Sequence, residues 1–181
     1  EGAHLIFGWD VSTSIIGVAV LDDSGKYVAS DHLDLRKTEG FFNKGDLAEH
    51  FTRIVIGKHG VHGPNTHYIE ERLGGFSSGK TMLQTLMVLA SFNTLVSWFI
   101  RCTDPQISHI HPSTVKSIMR KEGLLIPKGG DKKKLTLDFV SKNVPGWKVD
   151  LNRNDNPQPW NFDRADAYIV AKAGFLRDAR K

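Results

Sequence analysis

An α/β fold is predicted for this chain: a mixed five-stranded sheet, three antiparallel strands followed by two more, flanked by helices. Three observations carry the prediction. Three β-rich runs separated by short turns occupy the first 35 residues, helical patterns then alternate with two further short strand-like runs, and no repeat or low-complexity linker interrupts that order. The chain has 181 residues, 40% of them hydrophobic and only seven of them proline, so a single domain over 1–181 with one compact core is expected.

The first strand is expected over 4–10, where Leu5, Ile6 and Phe7 run together, and the second over 14–21, rich in isoleucine and valine, with a tight turn at 11–13. Asp22, Asp23, Ser24 and Gly25 make a hairpin-type turn into a more polar third strand over 27–35. Leu47, Phe51, Ile54 and Val55 fall at helical spacing within 43–58, and Gly60, Gly63 and Pro64 end that helix ahead of a strand at 67–72. A long helix over 80–101 and a short strand at 107–111 follow. Pro112 starts a helix to about 121, and Asp131 is placed to cap another that runs to 142. Residues 143–159 read as an irregular loop, after which Asn161 is placed to cap a last helix through 177.

The formal charge is +4 and the pI about 9.2, with Lys116, Arg120, Lys121, Lys128, Lys132, Lys133 and Lys134 crowded into one segment. Such a concentration marks a polyanion partner or a solvated basic face. Cys102 is the only cysteine, which excludes an internal disulfide and a zinc-type cysteine set, and an intracellular, cytoplasmic setting is expected. No signal-peptide pattern opens the chain at Glu1, a start without methionine that reads as processed. Residues 81–100 carry no charge and match a membrane span in length, yet Gln84, Thr85, Ser91, Asn93, Thr94 and Ser97 interrupt them, so a buried helix and no membrane partner are expected. Leu83, Leu86, Met87, Leu89, Phe92, Leu95, Trp98 and Phe99 cover more of that helix than one core-facing stripe needs. Its second side is expected to pack on another copy, or else within one subunit.

Three places put an acid where chemistry can use it. Asp10 ends the first strand, Glu70 lies in the fourth, and Asp163 and Asp166, three apart at the start of the last helix, share a face. Strand alternation sends Glu70 and Glu71 to opposite faces, so only one of them can join Asp10. Magnesium takes oxygen ligands, and a two-metal site clamps the attacking and leaving oxygens of an in-line phosphoryl displacement, which is why such sites draw carboxylates from several elements. Equally, Asp163 and Asp166 are ordinary complements to a helix dipole and Asp10 an ordinary turn residue.

Phe7-Gly8-Trp9-Asp10-Val11-Ser12 with Ile16-Gly17-Val18-Ala19-Val20, His67-Tyr68-Ile69-Glu70-Glu71, and Asp163-Arg164-Ala165-Asp166-Ala167-Tyr168 resemble, in order and spacing, the three catalytic motifs of RuvC-type Holliday junction resolvases. His111-Pro112-Ser113-Thr114-Val115-Lys116 and Asp131-Lys132-Lys133-Lys134 resemble that family's two DNA-contacting segments. The resemblance implies a ribonuclease H-like fold, a homodimer acting on a branched four-way DNA junction, and two magnesium ions, for which manganese substitutes. It assigns Asp10, Glu70, Asp163 and Asp166 as catalytic metal ligands, with Lys116 and Lys133 nearest the phosphates, Arg120, Lys132 and Lys134 beside them, and paired nicks as product. Ser12 stands where the first motif usually has glycine, Leu73 where some bacterial members have a junction-wedging aromatic, a role Phe76 could take, and the loop after Lys116 is longer than theirs. These departures resemble the diverged phage-type branch, which would place the protein in a bacterial host.

Gly74-Gly75-Phe76-Ser77-Ser78-Gly79-Lys80-Thr81 fits a nucleotide-binding phosphate loop, but the opening antiparallel hairpin and the closing acidic pair are the wrong context for it, so no nucleotide cofactor is expected. Phe76, Ser77, Ser78 and Lys80 are instead expected to contact DNA, the loop's backbone amides and Lys80 meeting phosphates. His109 and His111 would share a strand face but lack a third ligand at a recognisable spacing. The competing functions are another ribonuclease H-like nuclease acting on RNA:DNA hybrid or flaps, a branched-DNA binder that does not cut, and a kinase of the actin-like superfamily, for which the chain is short.

Overall fold

The computed structural model describes residues 4–59, 65–71 and 83–180. Five strands form one sheet in the order β3-β2-β1-β4-β5, where β1 is Ile6–Val11, β2 Ile15–Leu21, β3 Tyr27–Asp34, β4 Thr66–Glu70 and β5 Ile107–Ile110. β1, β2 and β3 are joined by antiparallel ladders, whereas β4 runs parallel to β1 and β5 parallel to β4. Parallel neighbours need a crossover, and α1 (Phe41–His59) and α2 (Leu83–Thr103) occupy those two connections. α3 (Pro112–Lys121), α4 (Lys132–Asn143) and α5 (Trp160–Asp178) complete the order. The predicted mixed sheet flanked by helices is therefore the observed one.

Strand alternation divides the interior into two cores. Phe7, Trp9, Val11, Ile16, Val18, Val20 and Ile69 face α1 and α2, whereas Ile6, Ala19, Leu21, Tyr68 and Ile110 face α3, α4 and α5. The second face holds the tighter contact. A Cβ on Gly8 would collide with Ala167 and Ala171, and one on Gly17 with the backbone of Asp163 and Arg164. Two glycines in neighbouring strands, one met by Ala167 and Ala171 and the other by the backbone of Asp163 and Arg164, thus let that helix lie directly on the middle of the sheet.

Several element details differ from the sequence expectation. α1 begins at Phe41, two residues early, behind Gly40 at φ 82°. It buries Gly45, Ala48, Thr52, Val55 and Ile56, while Leu47 and Ile54 are exposed, because α2 and the sheet occupy the small-residue side. Asp131 caps α4 as expected, its carboxylate accepting from the Lys134 amide at 3.2 Å. Asn161 caps nothing. α5 starts at Trp160, and the fully buried Asn161 side chain instead accepts from the Asp150 amide (3.0 Å) and donates to the carbonyls of Asp150 and Gln158 (2.8 Å each). β5 ends at Ile110, so His111 shares no strand face with His109; its ring nitrogen Nδ1 caps α3 by accepting from the Ser113 amide at 3.2 Å.

Candidate functional site

Asp10 follows Ile6 and Gly8 on the face of β1 that looks toward α5, and Glu70 follows Tyr68 onto the same face of β4. The choice between Glu70 and Glu71 is made by this register: Glu71 lies past the strand end, where its amide donates to the Ile110 carbonyl at 3.0 Å. Asp163 and Asp166, one turn apart, open α5 above Asp10. All four acids line one cavity of about 990 Å³. Two residues after Asp10, the Ser12 hydroxyl accepts from the amides of Ser14 (3.2 Å) and Ile15 (3.0 Å) and donates to the Ile15 carbonyl (2.8 Å), closing the β1–β2 turn that the sequence places at 11–13.

The same cavity takes Lys116 and Arg120 from α3 and Lys132 and Lys133 from α4. Lys134 is exposed outside it and contributes its amide to the α4 cap. Phe76, Ser77, Ser78 and Lys80, with Leu73, lie outside the described residues. Lys133 is half-exposed, and its ammonium donates to Asp163 Oδ1 at 3.0 Å. Burial works to lower its pKa, yet Asp163, then Asp10 and Asp166, outweigh that and raise it.

The carboxylates carry the signs of crowded negative charge. Burial and then the Asp10 carboxylate push the Asp163 pKa up, with Lys133 opposing, and Asp10 and Asp163 are close enough to share a hydrogen bond. Asp166 is pushed up to about 7, first by burial and then by Asp10, against the pull of Lys132 and Lys133. Such a cluster is short of positive charge. All-oxygen donors drawn from three elements suit a hard divalent cation, and magnesium in particular tolerates a site that leaves several positions to water. Among the described residues, no three acidic, imidazole or thiol groups are gathered into a closed ligand shell.

Behind the acids, the loop before α5 is strapped down. Arg164, 7% exposed, donates to Asp150 Oδ2 (2.7 Å) and the Lys148 carbonyl (2.6 Å) with its guanidinium 5.3 Å from the Trp147 ring centre. Trp160 adds a bond to Asp150 at 2.9 Å and stacks on His32 at 4.5 Å. The sequence shows this segment only as an irregular loop; Arg164 and Asp150 pair across a separation of fourteen residues, which leaves no periodic signal.

No family profile and no curated protein matches this chain. Two solved structures from Thermus thermophilus do align with it: RuvC in complex with a Holliday junction substrate, at TM-score 0.57 and 10% identity, and RuvC at TM-score 0.60 and 13% identity, each covering 97% of this chain and 96% of the other. The fold is the RuvC fold. That architecture accounts for the sheet order and for an alignment that runs nearly end to end. The residues that line the acidic cavity are read from this chain's own geometry, since identities this low make the RuvC likeness one of fold.

Proposed function

We propose that this protein is a magnesium-dependent endodeoxyribonuclease that resolves four-way DNA junctions by paired phosphodiester hydrolysis. The observation that supports it is the meeting, in one cavity of a RuvC fold, of Asp10, Glu70, Asp163 and Asp166 with Lys116, Arg120, Lys132 and Lys133. Acids alone would repel DNA and cations alone would only bind it; side by side they suit phosphate chemistry. Magnesium held there would supply Lewis-acid charge stabilisation and a water acidic enough to attack phosphorus. The four carboxylates would be its ligands in this reading, and a cation held among them would offset the crowding of negative charge that raises the Asp163 and Asp166 pKa values. Lys116, Arg120 and Lys132 position the sugar-phosphate backbone, and Lys133 spans the two groups.

One RuvC structure is in complex with a Holliday junction substrate, which favours a branched substrate here over a hybrid or a flap. The protein is taken to work inside the cell, as a homodimer. The deciding experiment offers a synthetic four-way junction, linear duplex, RNA:DNA hybrid and flap to the purified protein, with magnesium or manganese for cutting and calcium for binding alone. Asp10→Asn and Glu70→Gln are expected to lower cleavage by about a thousandfold or more while gel-shift affinity for the junction changes little, because they remove charge from the acids and leave the cations in place. Full cleavage by Asp10→Asn, or preference for the hybrid, defeats this reading.

A further inference from the structure

The cavity extends well past its acids. Its other arm is walled by Val115 and Met119 of α3, by Leu124, Ile126 and Pro127 of the α3–α4 connection and by Ile169 of α5, with Leu125, 66% exposed, at the rim. Phosphodiester hydrolysis needs none of these. Thr136 of α4 also lines the cavity, is 1% exposed, and its hydroxyl has no hydrogen-bond partner among the described residues. A buried hydroxyl left without a partner is disfavoured, and no described residue supplies the polar atom that would pair with it.

The chemistry of the two arms narrows the occupant. An apolar peptide or a lipid tail would leave Lys116, Arg120, Lys132 and Lys133 unmatched, and a bare phosphate would leave the apolar arm empty. A nucleotide matches both, because its phosphate suits the cations while its base is a flat apolar body with a polar edge. Enzymes that take a base out of the stack hold it between apolar side chains and read its edge with a few hydrogen-bonding groups, and a cavity of about 990 Å³ is ample for one base beside the backbone that carries it.

We propose that the apolar arm between α3, α4 and α5 is a nucleobase pocket, which takes one unstacked base of the bound DNA next to the acids and pairs the Thr136 hydroxyl with that base's edge. The proposal rests on DNA being the substrate, as argued above. It makes the protein selective for the base at one position, through a residue away from the phosphates.

The test scans 2-aminopurine, which brightens when unstacked, through the nucleotides around the cleavage position of a four-way junction, with the protein saturating in calcium. One position is expected to brighten, and Leu125→Asp, a change at an exposed site that places charge at the mouth, is expected to remove that signal at protein concentrations that still saturate the junction by gel shift. Thr136→Val, nearly equal in shape, is expected to flatten the cleavage preference at the same position by about threefold to tenfold, the worth of one hydrogen bond. Its thermal melt guards against misfolding. Binding without any bright position, a bright position that survives Leu125→Asp, or a Thr136→Val preference equal to wild type overturns the pocket alone; failure of the wild type to bind the junction overturns the pocket together with the resolvase reading.

Discussion

Asp166 shows what the cavity costs the folded chain. Its pKa of about 7 lies above the ordinary carboxylate value of 3.8, so the folded state binds a proton that the unfolded chain releases between those values. Stability from this group is therefore lost as pH rises through about 7, and is regained as pH falls toward 3.8. Asp166→Asn should make the metal-free protein more stable at pH 8 by about 1–2 kcal/mol, allowing for partial solvation, with the gain shrinking by pH 5. Urea melts in chelator at the two pH values check this, and a less stable variant at pH 8 counts against it. His67, on the opposite face of the sheet, has the reverse sign. It is wholly buried, its Nδ1 accepts from Trp9 Nε1 at 3.2 Å, its Nε2 lies 3.4 Å from Asp104, and burial lowers its pKa to about 4 although Asp104 pulls the other way. The unfolded histidine takes up a proton near 6.5 that the folded one refuses, so stability present above pH 6.5 falls as the pH drops toward 4, by about 2–3 kcal/mol. An NMR titration should find His67 neutral until about pH 4; a midpoint near 6.5 contradicts its burial. The four acids were legible in the sequence because strand alternation and the i, i+3 spacing are local rules. Thr136 and Asn161 were not, since what surrounds them is decided by segments distant in the chain.

Among the elements, α5 matters most, since it carries two of the acids and lies against β1 and β2 over Gly8 and Gly17. Gly8→Ala puts a methyl group into the backbone of that helix, and the overpacking should cost about 3 kcal/mol. The helix can also yield by shifting, which moves Asp163 and Asp166 away from Asp10. Cleavage is then expected to fall more than junction binding, and chemical denaturation beside a gel shift separates the two effects. Gly57, an α1 glycine with open space around its missing Cβ, serves as control. Element order, type and nearly every boundary followed from periodicity and turn residues. The faces of α1 did not: Leu47 and Ile54 have helical core spacing, but α2 lies against the glycine and alanine side, and only packing between the helices could reveal that choice. Similarly, no sequence rule tells that residues 144–159 are held by Arg164 and Asn161.

At the scale of the molecule, α2 presents two different sides. Phe92, Asn93, Val96, Ser97 and Ile100 are buried within the chain, whereas Leu83, Met87 and Trp98 are exposed, a stripe at helical spacing along its outer side. The length and hydropathy of α2 would suit a membrane crossing, and 28% of its most apolar stretch is buried here. Of the other apolar residues of α2, Phe92 is wholly buried and Phe99 half-buried in the core shared with the sheet and α1, whereas the half-buried Leu89 lines the acidic cavity. A twofold pair formed through the Leu83, Met87 and Trp98 stripe would supply two acidic cavities for the two opposed strands of a junction. Trp98→Glu should accordingly yield a monomer by light scattering, since an unpaired charge is strongly disfavoured inside an apolar contact. On a cruciform plasmid that monomer should produce nicked circles where the wild type produces linear DNA; a wild type that is itself monomeric on the junction excludes paired incision.

The close seat of α5 on the sheet also divides the cavity by how readily its parts can move. Asp10, Glu70, Asp163 and Asp166 stand on two inner strands and the helix pressed against them, so they can separate only in rare openings of the whole core. Lys116, Arg120, Lys132 and Lys133 stand on α3 and α4, joined by a connection that turns through Gly123 and Gly129 at φ 96° and 81°. Amide exchange should therefore be slowest at β1 and α5 and faster across the α3–α4 connection. The cationic end of the cavity can shift while the spacing of the acids stays as folding left it.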